Sequence, residues 1–253
     1  MPDVAEAPDY TEFAAGLARW AITQLRTGPR TRATKVHPAD IVTDTDIRIE
    51  DYVRAQIAAT YPGHGVLGEE RPATQAAPGL PTWYVDPVDG TTNFASSLGW
   101  SSFTIALADA DGPLLGVVAD PYRDEIFTAR RGHGARRNGA PVTCTAATDV
   151  AGTVLLTELD SHLPWPGMYQ MIDALGERHC TVRVMGSSAL SLAQLAAGRA
   201  AAVVLGEYHP VDAMAGLLIA TEAGAVVDYA TPPPAGVTAA APALAAQVTA
   251  CIS

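Results

Sequence analysis

Cysteine is scarce in this chain. Cys144, Cys180 and Cys251 are the only three in 253 residues, and they form no C-x-x-C pair and no Cys/His cluster. That scatter argues against a disulfide framework and against structural zinc. Lysine is scarcer, with Lys35 alone. Lysine and arginine together number 16 against 27 acidic residues, a net charge of −11. This balance leaves no basic footprint for nucleic acid and makes an anionic membrane surface a poor partner. No apolar run approaches the ~20 residues that cross a bilayer. The opening MPDVAEAPDYTEFAAGLARW is acidic where a secretory leader is basic. The expectation is a cytoplasmic chain that meets a small molecule, and an anionic substrate would need a cation to bring it in.

What is present, 48% hydrophobic and 17% charged residues, suffices for one large domain or two closely packed halves. Phe13, Leu17, Trp20 and Ile22 recur at helical spacing and predict a helix from Thr11 to about Thr27, stopped by Gly28-Pro29. A second helix is expected from about Thr45 to Ala59, and the polar stretch RTRATKVHPADIVTDTD before it reads as a loop. The runs TWYV, SSFTIALA, LLGVVADP and EIFTARRG, separated by turn signals, predict an antiparallel meander closed by the glycine-rich turn HGARRNGAPV. Strands and helices then alternate: TVLLTEL, TVRVMG, AAVVLG and AVVDY against SSALSLAQLAAGRA, VDAMAGLLIATEAG and a final helix from about Ala241. The organisation predicted is an α+β half over residues 1–142 and an α/β half over 143–253.

One string carries the chemistry, WYVDPVDGTTNF at residues 83–94. A strand ending at Val85 would deliver Asp86 at its edge, Pro87 would fix a turn, and Asp89 would return to the same side with the Val88 carbonyl between them. Paired carboxylates repel unless something positive lies between them. An all-oxygen set of this kind suits a hard cation such as Mg²⁺. Gly90-Thr91-Thr92-Asn93 then forms a sharp turn whose N–H groups could hold an anion. A cation site beside an anion site is what metal-assisted phosphate chemistry needs.

WYVDPVDGTTNF resembles the signature of the inositol monophosphatase family of magnesium-dependent, lithium-sensitive phosphatases. ADIVTDTD, GHGVLGEE, GVVADPYRDEIFTARRGHGARRNG, RVMGSSALSLAQLAAGR and VDAMAGLLIATEAG match that family in order. The resemblance implies a layered αβαβα sandwich, a homodimer, and two or three Mg²⁺ ions held by Glu69, Asp86, Asp89, Asp212 and the Val88 carbonyl. It implies Thr91 on the attacking water with Asp46 behind it as proton acceptor, and Glu69 also in the catalytic group. Gly90 and Thr91 would bind the phosphate, with Asp89 and Asp212 beside the substrate and Glu70 and Lys35 one layer out. The implied substrate is a small phosphate monoester resembling inositol 1-phosphate, or else histidinol phosphate or a nucleotide 3′-phosphate.

The chain also leaves the family pattern. Val211 replaces a tryptophan, Ala201 replaces an acid, and the substrate-reading glutamate position falls on Leu205, with Glu207 the nearest acid. The segment from Ser161 to Cys180 is shorter than usual. Two other readings remain open: an aspartate-nucleophile phosphatase suggested by the DGT triplet, and a non-catalytic protein that binds metal or phosphate for regulation. Taken without the resemblance, Asp212 reads as an ordinary helix-start acid.

Overall fold

The computed structural model describes residues 10–160, 162–229, 231–232 and 235–252. The first nine residues of the acidic opening read against a leader lie outside that set. Helix α1 (Thr11–Thr27) buries one stripe, Ala14, Leu17, Ala18, Ala21, Ile22 and Leu25, as its spacing predicts. Where the sequence suggested a loop, β1 (Arg32–Thr34) and β2 (Ile41–Thr43) pair as an antiparallel hairpin. The whole of β1 is exposed, so it carries no apolar alternation to betray it. Helix α2 (Asp44–Thr60) begins with a capping box between Thr43 and Asp46.

A seven-stranded sheet follows: β3 (Gly65–Gly68), β4 (Thr82–Asp89), β5 (Ser102–Asp109), β6 (Gly112–Asp120), β7 (Glu125–Arg130), β8 (Ala135–Arg137) and β9 (Ala140–Val142), in that spatial order. Every neighbouring pair is antiparallel except β3 and β4. The expected meander is therefore present, and the turn expected at HGARRNGAPV holds the two short strands β8 and β9. A five-residue helix, α3 (Thr91–Ala95), leaves the end of β4. The second sheet contains β10 (Val154–Thr157), β11 (Thr181–Val184), β12 (Ala202–Leu205), β13 (Val226–Tyr229) and β14 (Val237–Ala240), ordered β11-β10-β12-β14-β13. Its first three strands are mutually parallel, and β14 pairs antiparallel with both β12 and β13.

Between the sheets lie α5 (Ser188–Ala196) and α6 (Pro210–Glu222). Residues Ala213 through Ala220 of α6 are all buried, the mark of a helix apolar on every side. One side packs Ala215, Leu218 and Ile219 against Ala106, Val118 and Phe127 of the first sheet. The other packs Ala213, Leu217 and Ala220 against Leu156, Val203 and Leu205 of the second. Gly116 permits the approach, since a Cβ there would stand 2.7 Å from the Ala215 carbonyl oxygen. Helices α1 and α2 cover the outer face of the first sheet over Trp83, Val85 and Phe103. Two helices the sequence reading missed or misplaced, α4 (Met168–Glu177) and α7 (Ala245–Thr249), join the core on the outer side of the second sheet. The layers therefore run αβαβα. No helix among the described residues is long and apolar enough to cross a membrane.

Candidate active site

Residues three apart on a regular strand point to opposite faces. Strand β4 avoids this by a register shift: Asp86 lies opposite Thr104, and Asp89 lies opposite Ser102. Three steps on β4 match two on β5, so an extra residue is accommodated and both acids face the same side. The strand continues through Asp89 instead of ending at Val85, and Pro87 sits within the irregular stretch. Asp86 is buried, and its Oδ1 accepts the Val88 N–H at 2.9 Å. Burial, then the charges of Glu69, Asp212, Asp89 and Asp46, hold its carboxyl well above the usual range.

Asp89 is buried by a different arrangement. It accepts the Ser187 hydroxyl at 2.5 Å, the Ala189 N–H at 2.8 Å, and the Ser188 N–H and Ser102 hydroxyl at 3.1 Å. The first turn of α5 thus grips an acid from the opposite sheet. Burial pushes Asp89 up to about 6, with these donors restraining the rise. Asp212 stands in the first turn of α6, behind Pro210. Burial, Asp89 and Glu69 push it up to about 8, and Lys35 works the other way.

Glu69 and Glu70 follow β3 and meet the lone lysine from the tip of the β1–β2 hairpin. Lys35 Nζ lies 2.9 Å from Glu69 Oε1 and 2.7 Å from Glu70 Oε1. Burial opposes its charge, but the two glutamates outweigh that and hold its pKa above the ordinary lysine value. Burial pushes Glu70 up to about 7 despite Lys35.

Gly90 adopts φ +89°, and a Cβ there would stand 2.5 Å from the Gly186 carbonyl oxygen. Only glycine meets both demands. The Thr91 hydroxyl reaches the Val88 carbonyl at 2.9 Å and Asp46 Oδ1 at 3.2 Å. On its other oxygen, Asp46 accepts the Thr43 N–H at 3.0 Å and the Thr43 hydroxyl. Burial pushes Asp46 up to about 6, the Thr43 bonds partly offsetting it. Asn93 Nδ2 donates to Met185 O at 2.7 Å and to Trp100 O at 2.9 Å, tying the motif to the second layer.

A cavity of about 770 Å³ collects Glu69, Asp89, Gly90, Thr91 and Asp212 in its wall. The β1–β2 hairpin adds His37, Ala39, Asp40 and Ile41. Another part of its wall comes from the turns that follow β10, β11 and β12, the carboxyl ends of three parallel strands, where α/β sheets generally hold ligands. Glu207 and Asp160 lie there with His209, their ligand atoms within 4.8 Å of one another. Among the described residues no other group of three such side chains is as close, so the acids around Asp86 stand farther apart than that. No lysine or arginine lines the cavity among the described residues.

Sequence reasoning missed two acids. Glu158, just after β10, accepts the Ser191 hydroxyl at 2.8 Å and the Gly186 N–H, and burial pushes it up to about 8. The signal available was an acid closing the apolar run TVLLTEL. Glu50, fully buried on α2, fixes the turn that carries Glu69. No local pattern marks it.

The donors around Asp86 are carboxylates and a carbonyl, with four acids whose charges oppose one another and Lys35 as the cation paired nearby. That chemistry fits a hard divalent cation. Fold and comparisons together define a phosphatase, a hydrolase of phosphate esters. The inositol monophosphatase family profile matches residues 8–251, and the chain belongs to that family of metal-dependent phosphatases. It is 33% identical to an inositol monophosphatase of Mesembryanthemum crystallinum, over 87% of this chain and 84% of that one. It is 37% identical to the Nus factor SuhB of Pasteurella multocida, over 74% and 71%. A crystal structure of extragenic suppressor protein SuhB from Bartonella henselae superposes with a TM-score of 0.87 at 26% identity, over 95% and 96%.

Proposed function

We propose that this protein hydrolyses a small-molecule phosphate monoester by direct attack of water, with Mg²⁺ as its cation. The observation that carries the reading is the irregular β4, which brings Asp86 and Asp89 into the same region as Glu69 and Asp212, with the Val88 carbonyl against the Thr91 hydroxyl. Two or three Mg²⁺ ions, held by Glu69, Asp86, Asp89, Asp212 and the Val88 carbonyl, would supply charge neutralisation for the phosphate and the leaving alkoxide and acidify a water. Phosphate-monoester hydrolysis needs accelerations reaching ~10²¹, which neutral hydrogen bonds alone do not supply.

The chain's own groups do the rest. The backbone N–H groups of Gly90 and Thr91 bind phosphate oxygens. Thr91 Oγ1 accepts a proton from the attacking water and hands its own to Asp46, which lies within hydrogen-bond reach. A carboxyl pushed up to about 6 accepts that proton more readily than one at 3.8. Asp46 is oriented in turn by Thr43. Asp89 and Asp212 face the substrate, and Glu207 is the acid that meets its alcohol portion from the cavity wall. Glu70 and Lys35 steady Glu69 from behind.

For substrate class, a sugar or cyclitol phosphate resembling inositol 1-phosphate is the first choice. The acidic wall at Asp160 and Glu207, with no lysine or arginine beside it, favours an amine-bearing ester such as histidinol phosphate over a nucleotide 3′-phosphate. The relative named as a Nus factor supports a second role, regulatory and non-catalytic. A phosphate-release screen over sugar, inositol, histidinol and nucleotide monophosphates with Mg²⁺ present decides among these. Release from none of them overturns the enzymatic reading, and a phosphoenzyme trapped on Asp86 overturns direct water attack. The resemblance also supports lithium inhibition, tested in the same assay, and a cytoplasmic homodimer, tested by sedimentation.

A further inference from the structure

Glu50 is fully buried and takes no part in the chemistry proposed above. A buried carboxylate is costly unless its oxygens are satisfied, and the donors that satisfy this one are specific. Oε2 accepts the Glu70 N–H at 2.7 Å, while Oε1 accepts the Arg71 N–H at 3.1 Å and Arg54 Nε at 2.7 Å. Arg54 also reaches the Arg71 carbonyl at 3.1 Å. On the other side of Glu69, Gly68 lies so close that a Cβ there would run into the same carboxylate. The backbone on both sides of Glu69 is therefore fitted to a single side chain.

The placement of that side chain adds a second link. Glu50 follows Asp46 by one helical turn on α2, so the two share a face. One rigid helix thus fixes Asp46 beside Thr91 and fixes the turn that presents Glu69.

We propose that Glu50 is the positioning residue for Glu69, holding the turn from Gly68 to Arg71 so that the Glu69 carboxylate meets the divalent cation and sets its affinity. The inference rests on the reading of Glu69 as a cation ligand. Three N–H donors converge on two oxygens, so a carboxylate is required. Glutamine would turn an NH₂ group towards at least one of those donors.

The test uses the full chain and four variants: Glu50→Gln, Gly68→Ala, Glu69→Gln and Asp51→Asn. Mg²⁺ binding is followed by calorimetry without substrate, half-saturation of phosphate release is measured against Mg²⁺, and melting is followed in EDTA. Glu50→Gln should weaken Mg²⁺ binding about 10- to 100-fold, with turnover recovering as Mg²⁺ is raised. Asp51→Asn should leave Mg²⁺ binding unchanged, because its 2.8 Å fork to Arg71 is exposed. A lower melting temperature with unchanged Mg²⁺ affinity in Glu50→Gln overturns the proposal. Should that variant fail to fold, Gly68→Ala displaces the same turn from the opposite side, and unchanged Mg²⁺ affinity there overturns it equally. Glu69→Gln separates the two layers of argument. If it leaves Mg²⁺ affinity intact, the ligand reading fails and takes this inference with it; if it alone weakens binding, only the positioning role fails.

Discussion

Raising the pH of the metal-free protein from about 5 to about 8 should cost it stability, the reverse of what ordinary ion-paired carboxylates do. A carboxyl whose folded pKa exceeds its unfolded one holds its proton more tightly when folded, so ionising it as pH rises draws on stability. The loss is absent below the unfolded pKa and complete above the folded one. Moving Asp46 and Asp89 from 3.8 to about 6 corresponds to ~3 kcal/mol for each, accrued between those two values. Asp212 and Glu158, both pushed up to about 8, extend the decline towards neutral and alkaline pH. His64, lowered by burial, acts the other way, since its neutral folded form loses ground only on acidification. One half-exposed imidazole does not outweigh four buried carboxyls. Urea unfolding in EDTA at intervals across that pH range measures the effect. The midpoint should fall steadily with pH, and saturating Mg²⁺ should shrink the fall by the share that Asp89 and Asp212 contribute, because a cation substitutes for their protons. A midpoint that is flat or rising in EDTA would refute the picture of mutually repelling acids.

Four substitutions test separate parts of the site. Asp212→Asn should lower turnover at least ~100-fold while the protein stays folded, checked by phosphate release beside a melting curve. Asp89→Asn should do the same to turnover but also destabilise by ~1–3 kcal/mol, because an amide cannot accept all the bonds that α5 and Ser102 donate to Asp89. Thr91→Val should reduce kcat about 100-fold or more with little change in KM, and an unchanged kcat would remove Thr91 from the water's proton path. Gly90→Ala should lose ~1–2 kcal/mol from its left-handed backbone alone, plus whatever the approach to Gly186 adds, read as a fall in denaturation midpoint.

Much of the architecture is legible in the sequence because burial there is one-sided or complete. The α1 stripe reports one-sided burial, the long runs of β5 and β6 report strands buried on both faces, and the continuous apolarity of α6 marks a helix between two sheets. Where burial is slight, the signal fails. β1 is wholly exposed and looks like loop. The run expected as a helix from about Ala241 is preceded by strand Val237–Ala240, since alanine-rich sequence does not distinguish the two in so short a segment. Within the site, the acids of WYVDPVDGTTNF are conspicuous, but the register shift that aims them depends on their pairing with Ser102 and Thr104. Glu50 and Glu158 gain their significance from backbone N–H groups distant in sequence.

The two central helices have a consequence for how the chain can be divided. They are encoded after residue 187, yet they cover Ala106, Val118 and Phe127 of a sheet encoded before residue 143. A cut between the sheets in sequence would leave the first fragment with an uncovered apolar face and Asp89 without its donors. The second fragment would retain Asp212 but lose its acidic partners. Reassociation of the two fragments, and not the folding of either one, would be the step that restores the cavity.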